Sequence, residues 1–294
     1  MTRILNIAIG STHSIPGDLP GNLAQIHGLA QQAGRMGSDL LLTPEMSATG
    51  YGGFPEVLAL AEPAGDGPIY SALAEMARAN RLAVLAGFVE ASAGRRFLSH
   101  YVVYPDGQFV VQRKHRVTPR EQPLESPVDL YFDETEDIGH VRRGEEQFTF
   151  FAVQGVKCGI VICADLGVRG LNPVFAQAGV ELLLLPTGAG GRREERFTTQ
   201  DLLDEAGRQR YYESIGPACS PGSGVLDCIR QGRAMAAVNM NGYDGRVFYH
   251  GGQGSIVNCF GDVVAVLPGI PNFERARAGI AFGSIDFDES LVQA

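Results

Sequence analysis

Apolar residues recur along the chain in two spacings, one typical of helices and one typical of strands. In residues 22–37, Leu23, Ile26 and Ala30 follow helical spacing, so we expect an amphipathic helix there. The first apolar run predicts a β-strand rather than a secretory signal peptide, because it is short and lacks a small-residue cleavage site. In chain order, the pattern predicts a strand at 3–10, a strand at 39–43, a helix at 68–81 and a strand at 82–90.

Two hairpins interrupt this alternation. LSHYVVYPDGQFVVQRKH is expected to turn at Asp106-Gly107, and QFTFFAVQGVKCGIVIC near Gln154-Gly155. Later apolar runs predict strands at 181–186, 234–239, 254–258, 261–269 and 278–286. Helices alternating with strands, mixed with antiparallel hairpins, indicate a layered α/β protein rather than an all-parallel barrel.

Two stretches of the chain resemble each other. AQQAGRMGSDLLLTPE at 30–45 and AQAGVELLLLPT at 176–187 each run from a helix end through Gly into an apolar strand that stops at Pro. A further apolar strand follows each of them. The repetition favours two similar halves, although any two helix–strand units share some of this likeness.

Length leaves the domain count open, since 294 residues suit one domain or two. No linker divides the chain, so we expect a single domain over residues 1–294. The polar, Pro-rich stretch 117–146 is long for a loop in a compact domain, and such loops are usually functional or disordered.

Charge and cysteine content limit the classes of partner and the cellular compartment that we expect. The formal net charge is −9. Nucleic acids and anionic membranes bind basic protein surfaces, so neither is expected as a partner. The densest basic run, GRREER at 191–196, is interleaved with acids and is typical of a solvated loop. No window approaches the roughly 18 apolar residues of a membrane span. Five scattered cysteines favour a reducing cytoplasm over a secreted disulfide framework.

Several motifs that would indicate other chemistries are missing. The six histidines include no HExxH, and no Cys/His cluster has zinc spacing, so we predict no metal site. The sequence has no GxSxG elbow, no Walker loop and no GxGxxG opening a helix, so no cofactor is expected. TGAGG at 187–191 follows a predicted strand and favours a plain turn over a phosphate loop.

Three predicted strands end in reactive groups. Glu45 follows LLLT, Lys114 follows FVVQR, and Cys163 follows GIVI. Side chains at the rim of an α/β core are partly desolvated, and there pKa values shift and nucleophiles are activated. Taken alone, Glu45 and Lys114 could equally form a structural ion pair.

Cys158 and Cys163 lie five residues apart. If residues 157–162 are extended, strand alternation sends the two side chains to opposite faces, which excludes a shared metal or an unstrained disulfide. Cys158 is then expected to pack in the core, and Cys163 to lie where the strand meets a turn.

LLTPEMSATGY, KHRVTPRE and GIVICADL, in this order, resemble the three signature segments of the nitrilase superfamily, the carbon–nitrogen hydrolases. The resemblance implies a four-layer α-β-β-α sandwich with two pseudo-symmetric halves. It places the general base on Glu45, the lysine on Lys114 and the nucleophile on Cys163. The second glutamate of the family falls on Glu121, with Glu125 as the alternative.

The resemblance also implies a reaction and a pocket. The expected activity is hydrolysis of a small linear amide or N-carbamoyl compound through an acyl-thioester on Cys163, with no cofactor, in a homodimer or larger homo-oligomer. The expected substrate-binding positions are Tyr51, Ala164, Asp165, Thr187 and Gly188.

The chain departs from the family after the nucleophile. Many members continue with an aromatic residue, Asp and a Phe-Pro-Glu turn, whereas here Cys163 is followed by Ala164-Asp165-Leu166-Gly167. Two alternatives therefore stay open. One is a nitrilase that converts a nitrile to acid and ammonia, and the other is a non-catalytic member that binds a metabolite or a partner protein.

Overall fold

The computed structural model describes residues 3–128, 130–132, 139–141, 148–169, 171–192, 204–207, 228, 230–246, 248–269 and 276–288. Most of the basic run GRREER, at 193–196, lies outside these ranges, as do 129, 133–138 and 142–146 of the long polar stretch. No helix in the described ranges combines the length and the apolar character that crossing a membrane requires.

Eighteen strands and four α-helices have both of their ends within these ranges. The strands are β1 Ile4–Ser11, β2 Leu40–Leu42, β3 Ala83–Ser92, β4 Arg95–Val103, β5 Phe109–Arg113, β6 Leu130–Phe132, β7 Gly139–Val141, β8 Phe150–Val153, β9 Val156–Ile160, β10 Val168–Arg169, β11 Leu182–Thr187, β12 Gly190–Arg192, β13 Ala234–Asn239, β14 Asn241–Tyr243, β15 Phe248–Gly251, β16 Gly254–Val257, β17 Val263–Leu267 and β18 Gly279–Asp286. The helices are α1 Leu19–Arg35, α2 Pro55–Leu58, α3 Pro68–Asn80 and α4 Leu171–Gln177, and a 3₁₀ segment spans Cys163–Gly167.

Two six-stranded sheets form the centre of the fold. Their strand orders are β18-β1-β2-β3-β4-β5 and β8-β9-β11-β13-β16-β17. Read in these directions, both sheets show the same series of pairings: antiparallel, parallel, parallel, antiparallel, antiparallel. The echo between 30–45 and 176–187 falls on the matching strands β2 and β11, so the prediction of two similar halves is confirmed.

The layers follow from which face of each sheet is apolar. Leu42 and Val238 lie in the core between the two sheets. On the outer face of the first sheet, Ile26 of α1 packs in a second cluster with Val84. Phe175 of α4 belongs to a third cluster that covers the second sheet. The order helix, sheet, sheet, helix confirms the predicted four-layer sandwich.

Local signals explain where the elements begin and turn. The helix predicted at 22–37 begins earlier, because Asp18 caps it by accepting a hydrogen bond from the Gly21 N–H at 3.1 Å. It ends at Arg35, before Gly37 with φ of 75°. Gln154 and Gly155 both adopt positive φ between β8 and β9, which suits the predicted two-residue hairpin turn.

Candidate active site

Glu45 is held in place by the chain segment that follows β2. The Thr43 N–H donates to the Leu85 carbonyl of β3 at 3.0 Å, and the Thr43 hydroxyl donates to the same oxygen at 2.8 Å. The segment then packs against the β3 backbone so closely that a Cβ at Gly87 would lie 2.1 Å from the Met46 nitrogen. This packing fixes the Glu45 side chain, which is completely buried.

Lys114 extends from the end of β5 into the same interior space. Its backbone N–H donates to the Leu98 carbonyl at 2.8 Å, and its side chain is completely buried. The ammonium donates to Glu45 Oε1 and to Glu121 Oε1, both at 2.6 Å. A buried ammonium is costly unless it is paired and hydrogen-bonded, and these two carboxylates meet that requirement.

Glu121 is the glutamate that the structure brings to the lysine. Its Oε1 also accepts from the Tyr51 hydroxyl at 2.7 Å, and its Oε2 accepts from the Thr118 N–H at 2.9 Å. Glu125, the alternative from the sequence, forms a surface ion pair with Arg95 at 2.7 Å. Three donors around one buried carboxylate give Glu121 a defined position beside the ammonium.

The backbone turns sharply at Cys163. Strand β9 ends at Ile160, and Cys163 opens the 3₁₀ segment with a φ of 50°. The prediction that Cys158 and Cys163 face opposite sides is therefore wrong: both pack against the core between the sheets. Strand alternation stops at Cys163, because its positive φ redirects the side chain. Cys158 is fully buried, as expected for packing.

The Cys163 thiol lies next to the Glu45 carboxylate and the Gly188 N–H, close enough to interact with both. Gly188 directly follows β11, and its N–H donates to Glu45 Oε2 at 2.8 Å. A Cβ at this position would lie 2.6 Å from the Tyr51 ring and 3.0 Å from Glu45 Oε2. Only glycine therefore fits without displacing a neighbour. The preceding residue, Thr187, donates from its hydroxyl to Asn239 Oδ1 at 3.0 Å.

Asp165 links the segment after Cys163 to the segment after Lys114. Its carboxylate is fully buried and accepts from the His115 N–H at 3.1 Å and from the Arg116 N–H at 2.6 Å. Its contacts are thus with the backbone beside Lys114. Ala164, between Cys163 and Asp165, lies in the first turn of the 3₁₀ segment, where a backbone N–H has no partner within the helix.

Burial and neighbouring charges shift the pKa values of Glu45, Cys163 and Lys114. Desolvation, together with the negative charge of Glu121, raises the pKa of Glu45 to about 7, although Lys114 opposes the shift. Desolvation and the nearby Glu45 carboxylate raise the pKa of the Cys163 thiol well above its usual value. Desolvation would lower the pKa of Lys114, but the carboxylates of Glu121 and Glu45 outweigh it and raise that pKa. The resting site thus holds a neutral thiol, an ammonium and a carboxyl that exchanges its proton near neutral pH.

The site wall contains residues that the sequence did not single out. Arg120 donates from Nη1 to the Gly190 carbonyl at 2.8 Å, and its guanidinium lies 4.1 Å from the Phe248 ring centroid. His250 Nδ1 lies 3.3 Å from the Ala189 carbonyl. Arg120 was visible in KHRVTPRE as the residue before Glu121, whereas His250 carried no spacing signal because only the β15 pairing brings it here.

A metal site has no candidate in the described ranges. No group of three or more His, Cys, Asp or Glu side chains is placed there to hold an ion. At the site itself, the Lys114 ammonium occupies the position between Glu45 and Glu121 that a cation would need.

Comparison with known proteins agrees with this geometry. The chain matches the carbon–nitrogen hydrolase family over residues 6–270. A hydrolase of Pseudomonas protegens, from the pqqF 5′ region, is 31% identical over 186 residues, which cover 63% of this chain and 60% of that protein. An (R)-stereoselective amidase of a Pseudomonas species is 30% identical over 173 residues, which cover 58% of this chain and 56% of that protein. The matched segments thus span less than two thirds of these relatives.

Solved structures share the fold. A double mutant of the amidase from Nesterenkonia sp. AN1, in complex with acrylamide, superimposes with a TM-score of 0.70 over 99% of this chain and 94% of that chain, at 19% identity. Another form of that amidase carries the acetamide moiety of fluoroacetamide, covalently added at its active-site cysteine. The family match covers most of the chain and the fold agrees with it, so this chain belongs to the carbon–nitrogen hydrolase family.

Proposed function

We propose that this protein is an amidohydrolase that cleaves the C–N bond of a small linear amide or N-carbamoyl compound through an acyl-thioester on Cys163. The observation that carries the proposal is the buried Glu45–Lys114–Glu121 arrangement, with both lysine contacts at 2.6 Å and the Cys163 thiol within reach of Glu45. A thiol, a proton acceptor and a fixed cation are the parts that acyl transfer requires.

In the acylation step, Glu45 acts as the general base. It takes the thiol proton as Cys163 Sγ attacks the carbonyl carbon, and the C=O electron pair moves onto oxygen. When the tetrahedral intermediate collapses, the C–N bond breaks and the protonated Glu45 carboxyl delivers its proton to the leaving nitrogen. A pKa of about 7 suits both roles, because the group can accept and return a proton near neutral pH.

The oxyanion is stabilised by Lys114 and by the Ala164 N–H. The ammonium stays protonated beside two carboxylates and is already fixed in place, so little reorganisation is needed as negative charge develops. Glu121 positions this ammonium, and it is itself held by Tyr51 and Thr118. In place of the substrate contact expected for Asp165, we propose a positioning role through the backbone beside Lys114.

Deacylation reverses these roles with water as the nucleophile. Glu45 takes a proton from the water, whose oxygen attacks the thioester carbon. The C–S bond then breaks, the thiolate regains the proton, and the acid product leaves. Gly188 holds Glu45 Oε2 through both steps by its N–H.

Replacement of the proposed nucleophile tests the assignment. We expect Cys163→Ala to lower ammonia release from a panel of linear amides by at least about 1,000-fold, because removing a nucleophile abolishes the covalent route. Cys259→Ala is the matched control, since Cys259 is also a partly exposed cysteine and lies outside the site. Wild-type turnover by purified Cys163→Ala would refute the proposal. Turnover of nitriles with none of amides would favour a nitrilase.

The assembly and the compartment follow as further parts of the proposal. We expect a homodimer or larger oligomer in the cytoplasm, and light scattering after size-exclusion chromatography measures the assembly directly. No disulfide joins the four cysteines in the described ranges. A cytoplasmic location predicts that they stay reduced, and thiol titration of freshly purified protein measures this.

A further inference from the structure

The Arg120 guanidinium borders the proposed site. The side chain is half-buried, and it directly precedes Glu121 in the chain. One nitrogen donates to the Gly190 carbonyl at 2.8 Å, and Cζ lies over the Phe248 ring, 4.1 Å from its centroid. These two contacts fix the direction of a side chain that would otherwise be mobile.

Phe248 and Gly190, the two contacts of the guanidinium, each lie near a residue that bonds to a proposed catalytic group or to the glutamate that positions it. Phe248 meets Tyr51 edge-on, with ring centroids 6.3 Å apart, and the Tyr51 hydroxyl donates to Glu121. Gly190, the other anchor, follows Gly188 by two residues on the segment whose N–H contacts the proposed base. The guanidinium therefore lies beside residues that neighbour those holding the reacting groups.

The charge on this guanidinium has no counter-ion among the described residues. Two arginines on strands of the first sheet are paired, by contrast: Arg113 of β5 with Glu90 at 2.5 Å, and Arg95 of β4 with Glu125 at 2.7 Å. Nearby His250 adds no competing positive charge, since burial lowers its pKa to about 4 and leaves the ring neutral at pH 7. A guanidinium has five N–H donors, so the one donated to Gly190 leaves others for an anionic acceptor.

We propose that Arg120 binds a carboxylate on the substrate, a few bonds from the scissile C–N bond. The protein would then favour linear amides or ureas with an anionic tail over neutral ones of the same length. A planar guanidinium fixed by stacking matches a carboxylate with two parallel hydrogen bonds. The inference rests on the proposed function, and it names the class of substrate for that site.

A purely structural role predicts a different outcome. If Arg120 only supported the 188–190 segment, its loss would disturb Gly188 and the proposed base, and every substrate would suffer alike. If it binds a carboxylate, only substrates with that group lose affinity, and the change falls on KM rather than on kcat.

Two matched substrate pairs separate these roles. Glutaramate and valeramide differ by a carboxylate on the acyl side, and N-carbamoyl-β-alanine and propylurea differ by one on the amine side. The variants are Arg120→Met, which keeps a linear apolar stem over Phe248, and Arg120→Lys, which keeps the charge without the fork. Arg78→Met on the exposed side of α3 is the control for net charge.

We expect the wild type to prefer the carboxylate member of at least one pair by about 10- to 100-fold in kcat/KM, the size of a charge-assisted contact. Arg120→Met removes the preference through KM and changes the neutral substrate less than about twofold, while Arg120→Lys is intermediate. Equal use of both members by the wild type, or equal losses on both in Arg120→Met, overturns the proposal.

Binding to Cys163→Ala tests Arg120 without turnover. Calorimetry should show tighter binding of the carboxylate compound than of its neutral partner, and the double variant Cys163→Ala/Arg120→Met should lose the difference. If the wild type hydrolyses no amide but this binding difference persists, the proposed function fails while the carboxylate site stands. If amides are hydrolysed without any binding difference, the carboxylate site fails alone.

Discussion

The ends of β2 and β11 occupy matching places in the two halves of the fold but supply different groups. Each strand is third in its sheet and is flanked on both sides by parallel neighbours. After β2 comes Glu45, a carboxylate, and after β11 comes Gly188, a bare backbone N–H. The two meet across the interface between the sheets, where the glycine donates to the glutamate at 2.8 Å.

The ends of β1 and β9 also occupy matching places in the two halves, and they too supply different groups. After β9, Cys163 turns its thiol toward Glu45 through a positive φ. Ser11, the last residue of β1, donates its hydroxyl to the Asn239 carbonyl at 2.7 Å, and just after the strand the hydroxyls of Thr12 and Ser14 bond to each other at 2.8 Å. One half provides the proposed base and the other the proposed nucleophile. The two halves therefore share their strand arrangement but not the chemical groups at the strand ends.

Replacing the carboxylate of the first pair should have the largest effect. Glu45→Gln keeps the shape and one oxygen but cannot take the thiol proton, so we expect kcat/KM to fall by about 1,000-fold or more. The assay is ammonia release from the best amide of the panel. Glu125→Gln is the matched control, because Glu125 lies in the surface pair with Arg95. A loss below tenfold in Glu45→Gln would mean that another group is the base.

Adding a methyl group at Gly188, the partner of Glu45, should have the next largest effect on kcat. Gly188→Ala places a Cβ against Tyr51 and Glu45 Oε2, so the base must shift. We expect about 10- to 100-fold lower kcat, since small displacements of reacting groups are costly, and about 1–3 kcal/mol lower stability from overpacking.

Gly28→Ala in α1 is the control, because a Cβ there meets no atom within 4 Å. That change should raise stability by about 0.5–1 kcal/mol. Thermal unfolding and kcat measured on both variants check the pair. Unchanged kcat in Gly188→Ala would show that the segment after β11 does not position the base.

The pH dependence of kcat/KM should report the ionisation of Glu45, the member of the Glu45–Gly188 pair that titrates. A glycine N–H cannot titrate, whereas burial raises the Glu45 pKa to about 7. The base must be ionised, so kcat/KM falls as pH drops through that value. We expect about a tenfold loss between pH 8 and pH 6. Initial rates in constant-ionic-strength buffers measure it. A flat profile down to pH 5 would mean that Glu45 retains an ordinary carboxyl pKa or is not the base.

Local features of the chain allowed much of the frame to be predicted. Helical spacing around Ile26 and a two-residue turn at Gln154-Gly155 are short-range signals. The turn formed at the expected residues, and the helix formed at 19–35 rather than 22–37. The echo of 30–45 in 176–187 led to the matching strands β2 and β11. The error at Cys163 arose because strand alternation was carried beyond Ile160, and no spacing rule reports a single positive φ.

The sequence by itself determined the strands of the two six-stranded sheets, the likeness of the two halves and the three chain positions where reactive groups end strands. Only the tertiary structure decided that Glu121 and not Glu125 reaches Lys114, that Gly188 supports Glu45, and that the Arg120 guanidinium has no carboxylate partner among the described residues. The physical reason is that spacing and turn preferences act between near neighbours. Burial, which sets the proton affinities of the site, depends on side chains that meet only when the two sheets pack.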